Sequence, residues 1–494
     1  MKKVIMILID SLMPKDLENV IKRGKAPALR FLMENGVYNS ECATAFPTMT
    51  ASADATLMTG VYPDKHKIPG LIWYHSEEKR IVNYINGIRT VLKLGIKKTA
   101  EDVLLNLNNR HLSQEYKTIF EEIEDSGKTA ASINFIIYRG RADHLLKPPF
   151  MVNLLTKFAY QKKKVRGPKH LSIGAVCQPK FRGRKLPWGS NQTCFKAYGV
   201  NDDYAIDLSK TLIASGDQPD FMAIYLPDHD HYLHRHIHYP YKSLEKIDVK
   251  IGQFLDSFGS WQQALQQNTF IILGDHGQVE IGNQSENNIN LDNLLRKHQV
   301  VKIGKEVTET DEVIFANNER MVYVYPLKKD RERAIINTLL TDERIAFIAW
   351  KSGDSVVVEN YRKKRLEYSK GGSFTDPYGE SWSLEGDAEL LDIKVDDQKK
   401  LSFFLYPDAL SRLFGALFAH ESFVIAATSN PYYEFISESF PTHIGGASHG
   451  SLHRTDSTIP LLVVGAEKSP NNVKRIVDLK DYILQLLNIN PSNP

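Results

Sequence analysis

Six short apolar, β-rich runs recur along this 494-residue chain, and few folds can accommodate them. They are Val4–Ile9, Thr129–Ile137, Phe221–Leu226, Thr269–Leu273, Phe423–Thr428 and Leu461–Gly465. Runs without a polar face belong to strands buried on both sides, as in a parallel sheet. Lys117–Ser126 and Tyr241–Phe258 lie between them and carry apolar residues at three-to-four spacing, the helical period. Strand and helix in alternation predict an α/β fold, with a central, mostly parallel sheet flanked by helices. In such sheets functional groups gather beyond the carboxyl ends of the strands. Asp10 ends the first run, Asp228 and Asp230 follow the third, and Asp275-His276 follows the fourth. Three strands are thus expected to deliver acids to one edge.

Two segments interrupt the pattern. Residues 305–400 hold strand-like MVYVY, helical RERAIINTLL, then RIAFIAW, SVVVEN and the polar loop SKGGSFTDPYGESWS. They read as a small α+β cap inserted into a catalytic core of residues 1–304 and 401–494. Between His144 and Val200 stand twelve Lys or Arg and no acid, introduced by the apolar FMVNLLTKFAY. This basic insert at about 144–200 fits either an anionic surface contact or a solvated loop beside a site. The 62 basic and 59 acidic residues nearly cancel overall, so net charge says little about partners, and no specific nucleic-acid binding is expected. Three cysteines (Cys42, Cys177, Cys194) lack the spacing of a disulfide or thiolate-metal framework. Lys2-Lys3 and VIMILI imitate a signal peptide, but Asp10 ends the apolar run and no cleavage site follows. The expectation is a soluble, cytoplasmic protein whose oligomeric state the sequence leaves open.

Chemistry concentrates around TAFPTMTASADATLMTGVYPDKH, residues 44–66. Thr48 stands where a small-residue helix is expected to begin, with Gly60 and Pro63 to stop it. Unsatisfied N–H groups and the dipole make such a position favourable for phosphate, although Thr is also an ordinary N-cap. Elsewhere, Asp230 and His234 are four apart and share one helix face. Asp275-His276 lies between glycines in LGDHGQ, and His449 lies in GGASHGSLH. With Asp10 and the Thr48 hydroxyl this makes seven ligands, enough for two divalent ions. Mixed carboxylate and imidazole donors suit zinc, and also manganese or iron. A pair of such ions clamps the entering and leaving oxygens of a phosphoryl displacement.

The order of these blocks resembles the alkaline phosphatase superfamily, and within it the nucleotide pyrophosphatase/phosphodiesterase (type I phosphodiesterase) branch. The resemblance rests on the strand ending in Asp10, FPTMT through TGVYPDKH, the Asp230/His234 block with GDHG, and SHG with its following strand. It implies an alkaline-phosphatase-like core and a metal-dependent phosphodiesterase acting on a phosphate-ester small molecule. One metal is implied at Asp10, Thr48, Asp275 and His276, the other at Asp230, His234 and His449. Asp230 is preferred to Asp228, because Tyr232, not His, stands four residues after Asp228. Thr48 is the implied nucleophile, passing through a phosphothreonine that water then hydrolyses.

Some positions depart from the branch. Met49 replaces the aromatic residue on which a base stacks, Leu71 stands where a phosphate-binding Asn is common, and Asp54 replaces a His. Asn83 and Lys67 are the candidate replacements for the missing donor. The alternatives are a phosphomonoesterase, a phospholipid-directed phosphodiesterase, or a non-catalytic metal-binding scaffold. The lack of a C/S-x-P-x-R motif, needed to make formylglycine, disfavours the sulfatase branch.

Overall fold

The computed structural model describes residues 2–179, 193–438, 440 and 442–490, so the KFRGRK run of the basic segment lies outside the described residues. The strands of the two large sheets begin with β1 (Lys3–Ile9), β2 (Gly36–Ala43), β3 (Ala130–Ile133), β4 (His170–Ser172), β5 (Phe221–Leu226) and β6 (Asn268–Leu273). They continue with β7 (Val313–Asn318), β8 (Met321–Pro326), β9 (Ile345–Ser352) and β10 (Ser355–Glu359). The last are β11 (Arg365–Thr375), β12 (Ser381–Gly386), β13 (Ile425–Ser429) and β14 (Thr458–Val464).

The central sheet runs β2-β14-β6-β1-β5-β3-β4. β6, β1, β5, β3 and β4 are mutually parallel, whereas β14 runs antiparallel between β6 and β2. The all-apolar sequence of β1 follows from this position. Val4, Met6 and Leu8 pack with Ala51–Met58 and Leu479–Leu484 on one face. Ile5, Ile7 and Ile9 pack with Leu29, Leu244 and Ile251 on the other. The result is a three-layer α/β/α core, as the sequence predicts. β1 lies mid-sheet with helices over both faces, which gives every side chain a buried place.

A second seven-stranded sheet, β7-β8-β13-β9-β10-β11-β12, is antiparallel throughout. Its apolar face packs on the helices Glu332–Leu339 and Ala409–Phe418. Here two sequence expectations are corrected. Phe423–Thr428, expected among the core strands, supplies β13, paired to β8 and β9 in the middle of the second sheet. All buried strands read alike in sequence, and only pairing tells them apart. SKGGSFTDPYGESWS, expected to be a loop, forms much of the β11–β12 hairpin, whose residue pairs interrupt at a bulge between Lys370 and Phe374.

Candidate metal centre

The carboxyl ends of β1 and β6 lie side by side, with Leu8 opposite Leu273, so Asp10 and Asp275-His276 emerge together. Asp10 Oδ1 lies 3.4 Å from His276 Nε2, and Asp275 Oδ2 lies 3.3 Å from the same nitrogen. All three side chains are buried, and none of these three atoms has a hydrogen-bond partner among the described residues. The remaining atoms are fixed. Tyr225, on β5, donates its hydroxyl to Asp10 Oδ2. Asp275 Oδ1 accepts the backbone N–H groups of Ser11 (3.0 Å) and His276 (2.9 Å). A side chain on Gly277 would place its Cβ 2.1 Å from the Thr455 carbonyl, so the turn after His276 requires glycine. Burial, then the charges of Asp275 and Asp230, push the Asp10 carboxyl well above the usual carboxylate range. Carboxylates crowded in a low-dielectric site are relieved by a cation, and three unpartnered N/O donors fit a divalent one.

A second group adjoins the first. Asp230 and His234 occupy successive turns of the helix Asp228–His236, and His234 Nε2 lies 3.4 Å from Asp230 Oδ2. His449 Nε2 lies 3.7 Å from Asp230 Oδ1, and its ring stacks on His276 with centroids 3.8 Å apart. The outer nitrogens are oriented by backbone: His234 Nδ1 by the Ala447 carbonyl at 2.8 Å and His449 Nδ1 by the Thr48 carbonyl at 2.7 Å. Such contacts leave Nε2 free for a ligand. Burial raises the Asp230 carboxyl, but His234, His449 and His276 together hold it well below its ordinary value.

Sequence reasoning missed Glu319. It sits in the two-residue turn between β7 and β8, with Asn318 paired to Met321, and has φ 63. Its Oε2 lies 3.6 Å from His449 Nε2, and Glu319, His234 and His449 can together hold an ion. Burial would raise its carboxyl, but His449, His443 and His234 hold it down to about 2. The turn is clamped to the His449 loop. Arg320 N–H donates to the His449 carbonyl (2.8 Å), His449 N–H donates to Glu319 Oε2 (3.3 Å), and buried Arg320 pairs with Asp456. A Cβ on Gly450 would lie 2.2 Å from the Asn318 carbonyl. A polar NNER turn reads in sequence as surface, which hid this residue.

Ser11, also missed, links the groups. Its hydroxyl donates to Asp230 Oδ1 (2.8 Å) and lies 3.2 Å from His276 Nδ1, while Gln278 Nε2 donates to Ser11 Oγ and Asp230 Oδ1. His443 is a third omission, its ring stacked on His234 at 4.5 Å. A cleft of about 500 Å³ opens there, lined by His231, His234, Arg235, Thr442 and His443.

Thr48 adjoins the second group through the His449 contact. The helix begins at Thr50, two residues later than expected, with Met49 extended before it, because the Gly450 loop holds Thr48 instead. Its Oγ1 accepts from Gly450 N–H (2.8 Å) and donates to the Ser451 carbonyl (3.1 Å), and the residue is fully buried. Gly60, with φ 69, ends this helix as expected. Asp54, also fully buried, has its carboxyl pushed well up by burial and then by Asp275. Met49 is fully buried. Asn83 exchanges hydrogen bonds with the Asn86 backbone (3.1 and 2.5 Å), and Lys67 Nζ donates to the Phe418 carbonyl (3.3 Å), so both candidate phosphate donors have other partners.

The family model for type I phosphodiesterase / nucleotide pyrophosphatase matches residues 4–381. No curated protein matches the sequence. Among solved structures, murine ectonucleotide pyrophosphatase / phosphodiesterase 5 is similar, with TM-score 0.58 at 12% identity, covering 100% of this chain and 97% of that one. An inactive murine form in complex with AMP gives 0.57 at 12% over the same shares. The human counterpart gives 0.57 at 14%, over 100% of this chain and 96% of that one. At these identities the likeness is one of fold.

Proposed function

Because this chain belongs to the type I phosphodiesterase / nucleotide pyrophosphatase family, we propose that it hydrolyses phosphodiesters with two divalent ions, and that Thr48 is the nucleophile. Asp10, Asp275 and His276 would hold one ion. Asp230, His234 and His449, with Glu319 beside them, would hold the other. Zinc is the first choice for these donors, with manganese or iron as alternatives. The observation that carries the reading is the convergence of Asp10 Oδ1, Asp275 Oδ2 and His276 Nε2, buried and without hydrogen-bond partners among the described residues. Bound there, such ions would supply Lewis-acid stabilisation of the phosphoryl oxygens.

The protein's own residues account for the rest. Rotation about the Thr48 Cα–Cβ bond would release its hydroxyl from Gly450 and Ser451. Attack on phosphorus would form a phosphothreonine and expel one alcohol, and water would then displace phosphate ester from Thr48. The Gly450 N–H, freed by that rotation, is a donor for a phosphoryl oxygen. Met49, buried and without a ring, offers a nucleotide base no stacking surface, which favours a diester other than a dinucleotide.

The test compares bis(p-nitrophenyl) phosphate with p-nitrophenyl phosphate, using metal-loaded protein, chelator-treated protein and Thr48→Ala. The expected outcome is diester preference, loss on chelation, and a fall of at least about a thousandfold in Thr48→Ala. Undiminished hydrolysis by Thr48→Ala would remove Thr48 as the nucleophile, and monoester preference would move the class.

A further inference from the structure

We propose that two short helices beside the site form a docking face for an anionic phospholipid bilayer. The first is Ile88–Leu94 and the second Phe150–Leu155. Large apolar side chains are normally covered, yet Ile88 is 79% exposed and Phe150 is 70% exposed. Leu92, Leu154, Leu155 and Phe158 are all more than half exposed. Leu94 of the first helix packs on the core beside the second sheet. Each helix keeps a small polar residue, Thr90 or Asn153, buried, while Ile88 and Leu92 of the first and Phe150, Leu154 and Leu155 of the second are exposed. That is the reverse of a core-facing helix.

The two helices share one neighbourhood. Tyr160, just after the second, donates its hydroxyl to the Lys97 carbonyl, just after the first, at 2.5 Å. Exposed Arg89, Lys97 and Lys98 surround the first helix, and exposed Lys157, Lys162 and Lys163 follow the second. Between His144 and Val200 the sequence holds no acid, although Asp143, just before it, pairs with Lys164 and Arg166. Apolar side chains ringed by lysines match the layering of an anionic membrane surface, with hydrocarbon inside and phosphates outside.

The face is also joined to the candidate metal centre. Lys93 pairs with Glu438 at 3.0 Å, in the segment leading to His443. Asn86 Nδ2 donates to the Asn317 carbonyl at 3.1 Å, two residues before Glu319. A bilayer seated here would present the phosphodiester of a lipid head group beside the centre. That substrate assignment, unlike the docking itself, rests on the function proposed above.

The purified chain is mixed with phosphatidylcholine vesicles, with or without phosphatidylglycerol, at low and high salt, and bound protein is read by flotation. Binding is expected only with the anionic lipid and weakens with salt. Lys157→Ala, Lys162→Ala and Lys163→Ala each reduce it roughly fivefold. Ile88→Glu with Phe150→Glu abolishes it, while near-ultraviolet circular dichroism and hydrolysis of bis(p-nitrophenyl) phosphate stay unchanged. Equal binding to neutral vesicles, no binding at all, or wild-type binding by the Ile88→Glu/Phe150→Glu variant would overturn the proposal. Concentration-dependent self-association without vesicle binding would assign the face to a second copy instead. Because binding is read without turnover, failure of the catalytic reading leaves this result standing, and the reverse holds too.

Discussion

Asp10, Asp275 and His276 stand on the ends of two adjacent parallel strands, whereas Asp230, His234, Glu319 and His449 come from a helix, a hairpin of the other sheet and a glycine-rich loop. The first set is buried by the central sheet itself, and its free atoms face one another. The second set lies at the rim, beside the cleft at His443, and depends on Arg320 and Ser11 to keep its parts together. One half of the centre is thus fixed by strand pairing. The other is fixed by contacts between two sheets that fold from separate stretches of chain.

Substitutions can break this contrast. Asp275→Asn removes a charge from the strand-end set and should lower diester hydrolysis roughly a hundred- to a thousandfold, read as kcat/KM. A smaller loss would mean that the rim set alone sustains the reaction. Glu319→Gln keeps the shape of the hairpin and should weaken retention of one metal equivalent roughly ten- to a hundredfold, read by chelator competition. The other equivalent should be unaffected. If both are held as tightly as in the wild type, the second sheet has no part in metal binding.

Acid tests the contrast through stability rather than turnover. His66, in the short helix Pro63–His66, ties back to the helix Thr50–Thr59 through Thr56, and His420 packs against Tyr323 and Tyr325 of the second sheet. Burial first, then Lys67, lowers His66 to about 3, and burial, Lys351 and Lys67 lower His420 to about 3. Unfolded, each would take a proton below pH 6.5, while the folded protein refuses it until about pH 3. Their contribution is therefore complete above pH 6.5 and is lost as pH falls toward 3, by about 1.4 kcal/mol per unit for each. Melting of wild type against His66→Gln and His420→Gln across this range measures it. A wild-type difference that does not shrink with acid would show that neither ring is kept neutral by burial.

The strand-end set was legible because a buried parallel strand must be apolar and must stop at its first acid. Asp10 and Asp275 are those acids. Asp230 and His234 were legible from helical spacing, and His449 from its glycine-rich turn. Glu319 and Ser11 were not, since one looks like a surface turn and the other like any serine. Both acquire their roles from partners more than a hundred residues away, such as His449 and Asp275. The same limit displaced β13, whose IAATS sequence carries no mark of which sheet it enters.

That displacement bears on how such an enzyme could be shortened or recombined. β13 follows the hairpin strands of the second sheet by tens of residues, yet it lies between β8 and β9. The second sheet is consequently not a cassette. Excising 305–400 would strip β13 of both neighbours and leave an apolar strand with two open edges, a template for aggregation. Grafting those residues elsewhere would leave their sheet without its middle. Gene fusions or family-shuffling experiments that cut at 305 and 400 should yield insoluble protein, whereas cuts that carry 425–429 along keep the sheet whole.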